Sequence, residues 1–442
     1  MNIYIKNSLV YIAFLFVLLT GIFTRSFLGL SFFGFRLGEL IVGGSFVISL
    51  YFLLFRRPKK YFTFENTYIE YTHSFIILYS LIRIIINFQD ISLYNFKASS
   101  YVWTIAIIYV GIFVFNYSKN DLFLKFLMIL FPITVYVFQT GNYPNFIISF
   151  FQNNSDKFQF MKASDMVIVV IVSSIYLNQY RINTKFHIYW SNFLISLFLP
   201  LVAANSRAAV GGLVLFFILN FLFAFKELKL FKFHLIFLLA LITISFSLSS
   251  VRVSGVTFET PDKNKNNSIV SEVPEAVKKI AKEKSTEDVF LSLYIQDGRI
   301  FSTDPTTNWR LDIWQDVYDD LNDKNRIIRG YGYGDIIPVM TDPTAPGRLG
   351  RDGLNEHVHN YFVTTFARGG LLNLTLFILF HIQLVKILLR SDLGIKSLSI
   401  VIPCLFMSSF DVTMDGVQFP LIYYFFIGYF IDKKTLKSDL GN

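Results

Sequence analysis

The chain has one cysteine, Cys404, in 442 residues, so no intramolecular disulfide can form and any folded loop must be ordered without one. Charge is also scarce. Only 16% of residues are Asp, Glu, Lys or Arg, against roughly 25% in soluble domains. A water-soluble core of this length cannot hide a sequence that is 53% hydrophobic and 18% aromatic with 51 Phe, so the bilayer must be the solvent for most of it. A Walker sequence is missing too: Gly330-Tyr331-Gly332-Tyr333-Gly334 lacks the Lys-Ser/Thr pair that would hold phosphates and Mg2+. The net charge of +9 suggests nucleic acid at first sight. The Lys and Arg stand in short runs between apolar segments, where they fix topology, and no nucleic-acid partner is expected.

What is present is a series of apolar runs, at 9–24, 37–55, 72–88, 100–117, 122–138, 164–180, 187–204, 208–225, 233–250, 366–388, 394–410 and 416–431. They predict an all-α polytopic membrane protein of about 12 transmembrane helices. The first run has only Lys6 before it and no small-x-small cleavage site, so it reads as a retained span. Basic residues fall on alternate connections: Arg56 to Lys60, Lys119 and Lys125, Arg181 and Lys185, Lys226 to Lys232, Lys386 to Lys396, and Lys433 to Lys437. The excess of Lys and Arg in cytoplasmic loops then predicts both termini inside. The long polar stretch after the ninth span falls outside. The chain divides into spans 1–9 over residues 1–250, one long outer loop over 251–365, and spans 10–12 with a tail over 366–442.

Candidate chemistry gathers on the outer side. Asn205-Ser206-Arg207 lies between the seventh and eighth spans, and a boundary Arg offers a planar fork suited to phosphate, or merely snorkels. In Asn308-Trp309-Arg310-Leu311-Asp312-Ile313-Trp314, helical spacing puts Trp309, Ile313 and Val317 on one face, with Thr307 or Asn308 as cap. An amphipathic helix lying on the membrane explains the Trp but not the Arg310 beside them. The glycines around Tyr331 and Tyr333 let backbone approach a neighbour or ligand closely, and the Tyr rings are able to stack on sugars. A plain turn is the alternative.

Glu356-His357-Val358-His359-Asn360 opens an apolar helix that runs through Arg368-Gly369-Gly370, and a His is the usual base near neutral pH. His357 and His359 are two apart and no third His or Cys is near, so no metal site is expected. Asp411, with Asp415, lies in the connection before the last span. Ser271 to Glu287 reads as a mixed-charge helix started by Pro274, a cover over the site. Glu39 and Arg83 lie in or near spans and pair with each other or line a path for lipid or acceptor.

Ser206-Arg207 before a span, Trp309-Arg310 and Trp314 in a long outer loop, the Gly-Tyr-Gly-Tyr-Gly stretch, and His359-Asn360 leading to Gly369-Gly370 resemble, in this order, the bacterial O-antigen ligase and O-antigen polymerase superfamily. The resemblance covers about residues 200–415. It implies a C-type glycosyltransferase-like fold with a periplasmic loop in the inner (cytoplasmic) membrane. It further implies an inverting, metal-independent glycosyltransferase without cofactor. Arg207 and Arg310 would hold the diphosphate of an undecaprenyl-diphosphate-linked oligosaccharide donor. His359 would deprotonate the acceptor hydroxyl, and Asp411 would orient His359 or the acceptor. Trp309, Trp314, Tyr331, Tyr333 and Asn360 would line the substrate site. The acceptor would be another glycan in a polymerase, or lipid A-core in a ligase. Chain-length regulator and flippase proteins would be further partners. The ligase pattern often has Gly, Thr or Tyr where this chain has Asn373, a departure that leaves the polymerase form open. A flippase for the same lipid-linked sugars fits the span number equally, but it predicts an internal repeat that the sequence does not show.

Overall fold

The computed structural model describes residues 3–54, 67–86, 92–118, 122–141, 144–156, 161–179, 184–228, 232–255, 292–353 and 355–431. The architecture is almost entirely helical. Sheet is confined, among these residues, to two small antiparallel hairpins, Ser31–Phe32 with Phe35–Arg36 and Leu293–Gln296 with Arg299–Ser302. Among the described residues, six helical segments are long and apolar enough to cross a membrane: Ser8–Leu28, Leu37–Leu54, Leu122–Thr140, Phe186–Ala203, Phe233–Val253 and Tyr361–Arg390. Shorter apolar helices cover Ser100–Asn116, Ala163–Leu177, Arg207–Phe223 and Gly394–Ser408.

Two patterns fit a multi-pass membrane protein. Large apolar side chains face outward, as Ile236, Phe237, Leu239, Ile244, Leu248 and Val251 do along Lys232–Gly255. Small polar side chains are instead buried between helices and satisfied within their own turn. Ser191 donates to the His187 carbonyl at 2.7 Å, Asn192 to Ile188 at 2.8 Å and Ser196 to Asn192 at 2.6 Å. In hydrocarbon no water is present to serve these groups, so this back-bonding is how they are accommodated.

The bundle closes through small residues. Helices Ile107–Ser118 and Gln418–Phe430 meet backbone to backbone. A Cβ on Gly111 would come within 2.0 Å of the Phe425 carbonyl oxygen, and one on Gly428 within 2.0 Å of that of Ile108. Close approach at glycine supplies dispersion contact where lipid removes the hydrophobic driving force. The core around this seam is aromatic, with Phe14, Tyr176, Phe425, Phe426 and Tyr429 in edge and stacked contacts.

The structure adds elements that periodicity did not predict. Leu93–Ala98 and Asn145–Asn154 are short helices, and the hairpin over 293–302 braces the outer loop. The proposed cover helix Ser271–Glu287 lies outside the described residues, as do Arg56 to Lys60, Lys119, Arg181, Lys229 and Lys433 to Lys437, on which the sidedness largely rests. Glu39 and Arg83 do not pair. Glu39 lies beside Arg36, while Arg83 donates to the Gly330 carbonyl at 3.1 Å.

Candidate functional site

Five connections meet at one end of the bundle. Arg36, between the first two helices, pairs with Asp156. Lys162, at the start of Ala163–Gln179, donates to the Val412 carbonyl at 3.4 Å. Arg207 opens Arg207–Leu228 and pairs with Asp304 at 3.0 Å. The Thr364 hydroxyl donates to Asp415 at 3.0 Å. The residues predicted from distant parts of the sequence therefore share one end, and Arg310 lies within electrostatic range of Arg207, His359 and Asp411.

The loop helix Pro305–Asp323 carries Arg310. Its cap is Asp304, not Thr307 or Asn308. The Asp304 carboxylate accepts from the Thr307 amide at 2.9 Å and hydroxyl at 2.8 Å, with Pro305 at the first helical position. Burial works against the charge on Asp304, but the Thr307 bonds and the Arg207 guanidinium together hold its carboxyl below the usual range. One carboxylate thus links the Arg on the bundle to the helix bearing the other Arg. Asp304→Ala is expected to cost about 1 kcal/mol of capping, and Asp304→Asn much less, because Asn caps as well as Asp and a half-exposed ion pair contributes about 1 kcal/mol or less. Hydrogen exchange across 305–323 would read the difference.

The buried face of the loop helix is Ile313, Val317 and Leu321, against Ile337, Met340, Val358 and Ala367. Its opposite side is stitched by charge. The fully buried Arg348 reaches Asp312 at 2.7 Å and Asp316 at 2.6 Å, and Arg299 of the hairpin reaches Asp316 at 2.6 Å. These bonds order the loop in place of a disulfide. Arg310 differs. No salt bridge to it forms among the described residues, and its Nε, like that of Arg348, is buried without a partner. Burial lowers its proton affinity, opposed by Asp411 and Asp304 and aided by Arg207.

His359 does not open the helix, as the sequence suggested. It lies just before it in the left-handed region, φ 53°, uncommon for a residue with a side chain. Asn360 is the cap of Tyr361–Arg390, its Oδ1 accepting from Phe362 at 2.9 Å and Val363 at 3.1 Å, so that oxygen is spent on the helix. The His359 ring lies edge-on to Trp309, centroids 5.2 Å apart, and its Nδ1 is buried without a partner. Burial first, then the Arg310 charge, pushes its pKa from 6.5 to about 4. Asp411 does not hydrogen-bond His359. Its carboxylate accepts from the Val412 amide at 2.7 Å and the Ser164 hydroxyl at 3.3 Å.

The Trp and Tyr residues divide. Trp309 is held by the Pro346 carbonyl at 3.0 Å and faces His359. Trp314 donates to the Val358 carbonyl at 2.7 Å and so fixes the segment before His359. Tyr331 turns away to Asp320, at 2.6 Å. Tyr333 is wholly buried, its hydroxyl 3.1 Å from that of Tyr101 and 3.3 Å from Ser80, with no face open to a sugar. The expectation of sugar stacking by Tyr333 is corrected: the ring is core. The glycines serve chain crossing. Tyr361–Arg390 is broken at Gly370, φ 68°, where a Cβ would meet the Ile328 backbone at 2.2 Å. The loop repairs the break: Tyr331 and Gly332 amides donate to the carbonyls of Ala367 and Arg368 at 2.8 Å, and Leu371 donates to Ile327 at 2.8 Å.

Two residues escaped the sequence reading. Lys162 lies among Asp411, Asp165 and Asp415, its proton affinity lowered by burial. Asn355 accepts from the His357 amide at 3.2 Å and lies 3.4 Å from His359 Nε2. Neither belongs to a motif, and only the fold brings them in. No group of three or more His, Cys, Asp or Glu among the described residues is placed to hold a metal.

No curated protein matches the chain. A family model described as O-antigen ligase matches residues 192–378, a span that includes Arg207, the loop helix, the glycine crossing and His359. That match supports transfer of the O-antigen ligase or polymerase type by a glycosyltransferase-like enzyme, with a bilayer and lipid-linked glycans as partners. Over residues 192–378 the chain is similar to the O-antigen ligase family, which supports a place in the O-antigen ligase and O-antigen polymerase superfamily.

Proposed function

We propose that the protein is an O-antigen polymerase: an inverting glycosyltransferase that moves a glycan from an undecaprenyl-diphosphate carrier to a hydroxyl of a second lipid-linked glycan, on the periplasmic face of the inner membrane. The observation that carries this reading is the convergence of Arg207, Arg310 and a His359 whose Nδ1 has no partner, from three separate segments, on one end of the bundle. The acceptor oxygen bonds to the anomeric carbon as the carbon–phosphate oxygen bond breaks. The electron pair of that bond leaves with the diphosphate, and the hydroxyl proton goes to His359. A single displacement inverts the anomeric centre. The two guanidinium groups offset the charge that builds on the leaving diphosphate, the task a divalent cation performs elsewhere. Asp411 lends a negative field to Arg310 and to the imidazolium that forms.

With both termini cytoplasmic, this end of the bundle faces the periplasm, where nucleotide sugars are scarce and the activated sugar arrives on lipid. A deletion strain tests the reading. Loss of the polymerase leaves core carrying single repeat units on a lipopolysaccharide gel. Bare core with stranded lipid-linked glycan would mark a ligase instead, and no surface glycan with intermediates trapped on the cytoplasmic side would mark a flippase. Activity of the purified protein is expected to survive EDTA, and its loss would overturn the metal-free form.

A further inference from the structure

A His base has two nitrogens, and the structure distinguishes them. The side-chain oxygen of Asn355 faces two groups, the His357 backbone amide at 3.2 Å and His359 Nε2 at 3.4 Å. A backbone N–H only donates, so the atom it meets must be the amide oxygen, which fixes the orientation of the Asn355 amide. An amide oxygen only accepts, so His359 Nε2 must carry a hydrogen. In the neutral imidazole the lone pair is then on Nδ1. That atom is buried and has no partner.

The ring is fixed by more than this bond. The left-handed backbone of His359, the helix cap at Asn360 next to it and the Trp309 edge hold the imidazole between the loop helix and the start of Tyr361–Arg390. Asp411, the residue expected to orient the ring, is committed to Val412 and Ser164.

We propose that Nδ1 of His359 is the atom that takes the acceptor proton, and that Asn355 is the positioning residue that selects this tautomer. This rests on the glycosyl-transfer reading above. The proton passes from the acceptor oxygen to Nδ1, giving an imidazolium whose Nε2–H still donates to Asn355, and it leaves later to solvent. A neutral amide at this place, rather than a carboxylate, sets the tautomer without raising the basicity of the ring. The charged and titratable groups facing the ring are Arg310 on the loop helix, Asp411 from the connection after Leu398–Ser408, His357 on its own segment and Lys162 from the connection before Ala163–Gln179.

Two substitutions test the assignment. Asn355→Asp keeps an acceptor for Nε2–H and adds a charge, so the acid limb of kcat/KM is expected to move up by about one pH unit or more. Asn355→Leu frees the tautomer, and kcat is expected to fall about tenfold or more with KM changed little. An unmoved limb in Asn355→Asp, or a wild-type kcat in Asn355→Leu, would overturn the proposal, since an Asn that merely braces the loop would leave the pH profile alone. A readout free of turnover is carbethoxylation of His359 followed by mass spectrometry in a His357→Gln background. Its midpoint should rise in Asn355→Asp, and no rise would overturn the proposal even if Asn355→Leu fails to fold. If the wild-type protein transfers no glycan, the reaction assignment fails, while the carbethoxylation midpoint still reports on the Asn355 bond.

Discussion

Arg310→Ala is expected to lower kcat/KM for a lipid-diphosphate glycan by about 100-fold or more, the scale seen when one preorganised donor to a developing anion is removed. The expectation rests on the contrast between two classes of Arg in the loop. Arg348 is buried and ion-paired through its Nη2 with Asp312 and Asp316, so it orders structure even though its Nε has no partner. Arg310 is mostly buried and, unlike Arg348, forms no salt bridge among the described residues. A buried cation without an ion pair is destabilising, and a loop that retains one has a site for an anion. Stability should therefore move opposite to activity. Arg310→Met should leave the thermal midpoint unchanged or higher, whereas Arg348→Met, which leaves Asp312 and Asp316 with Arg299 as their one shared cation, should lower it. Arg310→Lys keeps the charge but loses the fork, and about a tenfold loss is expected. Thermal unfolding in detergent beside steady-state kinetics separates these outcomes.

His359→Ala should lower kcat by about 100-fold or more, within the range for removal of a positioned base. The pH dependence is more diagnostic. His359 accepts a proton only when neutral, and burial with the Arg310 charge depresses its pKa from 6.5 to about 4. Activity carried by this base is therefore held as pH falls through 6.5 and lost only as it falls through about 4. An ordinary surface His would lose it near 6.5. Because Arg310 contributes to the depression, Arg310→Gln should raise the acid limb of the residual activity. A kcat/KM profile from pH 4 to 8 would show both effects.

Much of this arrangement was legible in the chain and some was not. The apolar runs fall mostly in helices, with 100–117 interrupted by a 3-10 segment at Thr104–Ala106, because in a bilayer the backbone has few other ways to satisfy itself. Arg207, Arg310 and His359 stood out since charge and His are rare here and fall in the connections. Local chemistry was misread where a neighbour changed its meaning. Asp304-Pro305 marked a helix start earlier than Thr307, and the Oδ1 of Asn360 caps the helix at Tyr361. Gly330 read as part of a turn and Gly370 as part of a continuous helix, but their joint purpose, letting two backbones cross, depends on a contact forty residues apart along the chain. Tyr333 is polar enough to suggest a surface and is wholly buried, because Tyr101 and Ser80 satisfy its hydroxyl. Lys162 and Asn355 are solitary polar residues without a pattern, and only tertiary packing brings them beside Asp411 and His359.

The most direct test of the central claim uses purified protein in lipid vesicles with an undecaprenyl-diphosphate oligosaccharide, no nucleotide and EDTA present. The expected result is release of undecaprenyl diphosphate with growth of a lipid-linked glycan by whole repeat units, abolished together by Arg310→Ala and His359→Ala. Growth that persists in both variants, or transfer that requires a nucleotide sugar or a divalent cation, would contradict it.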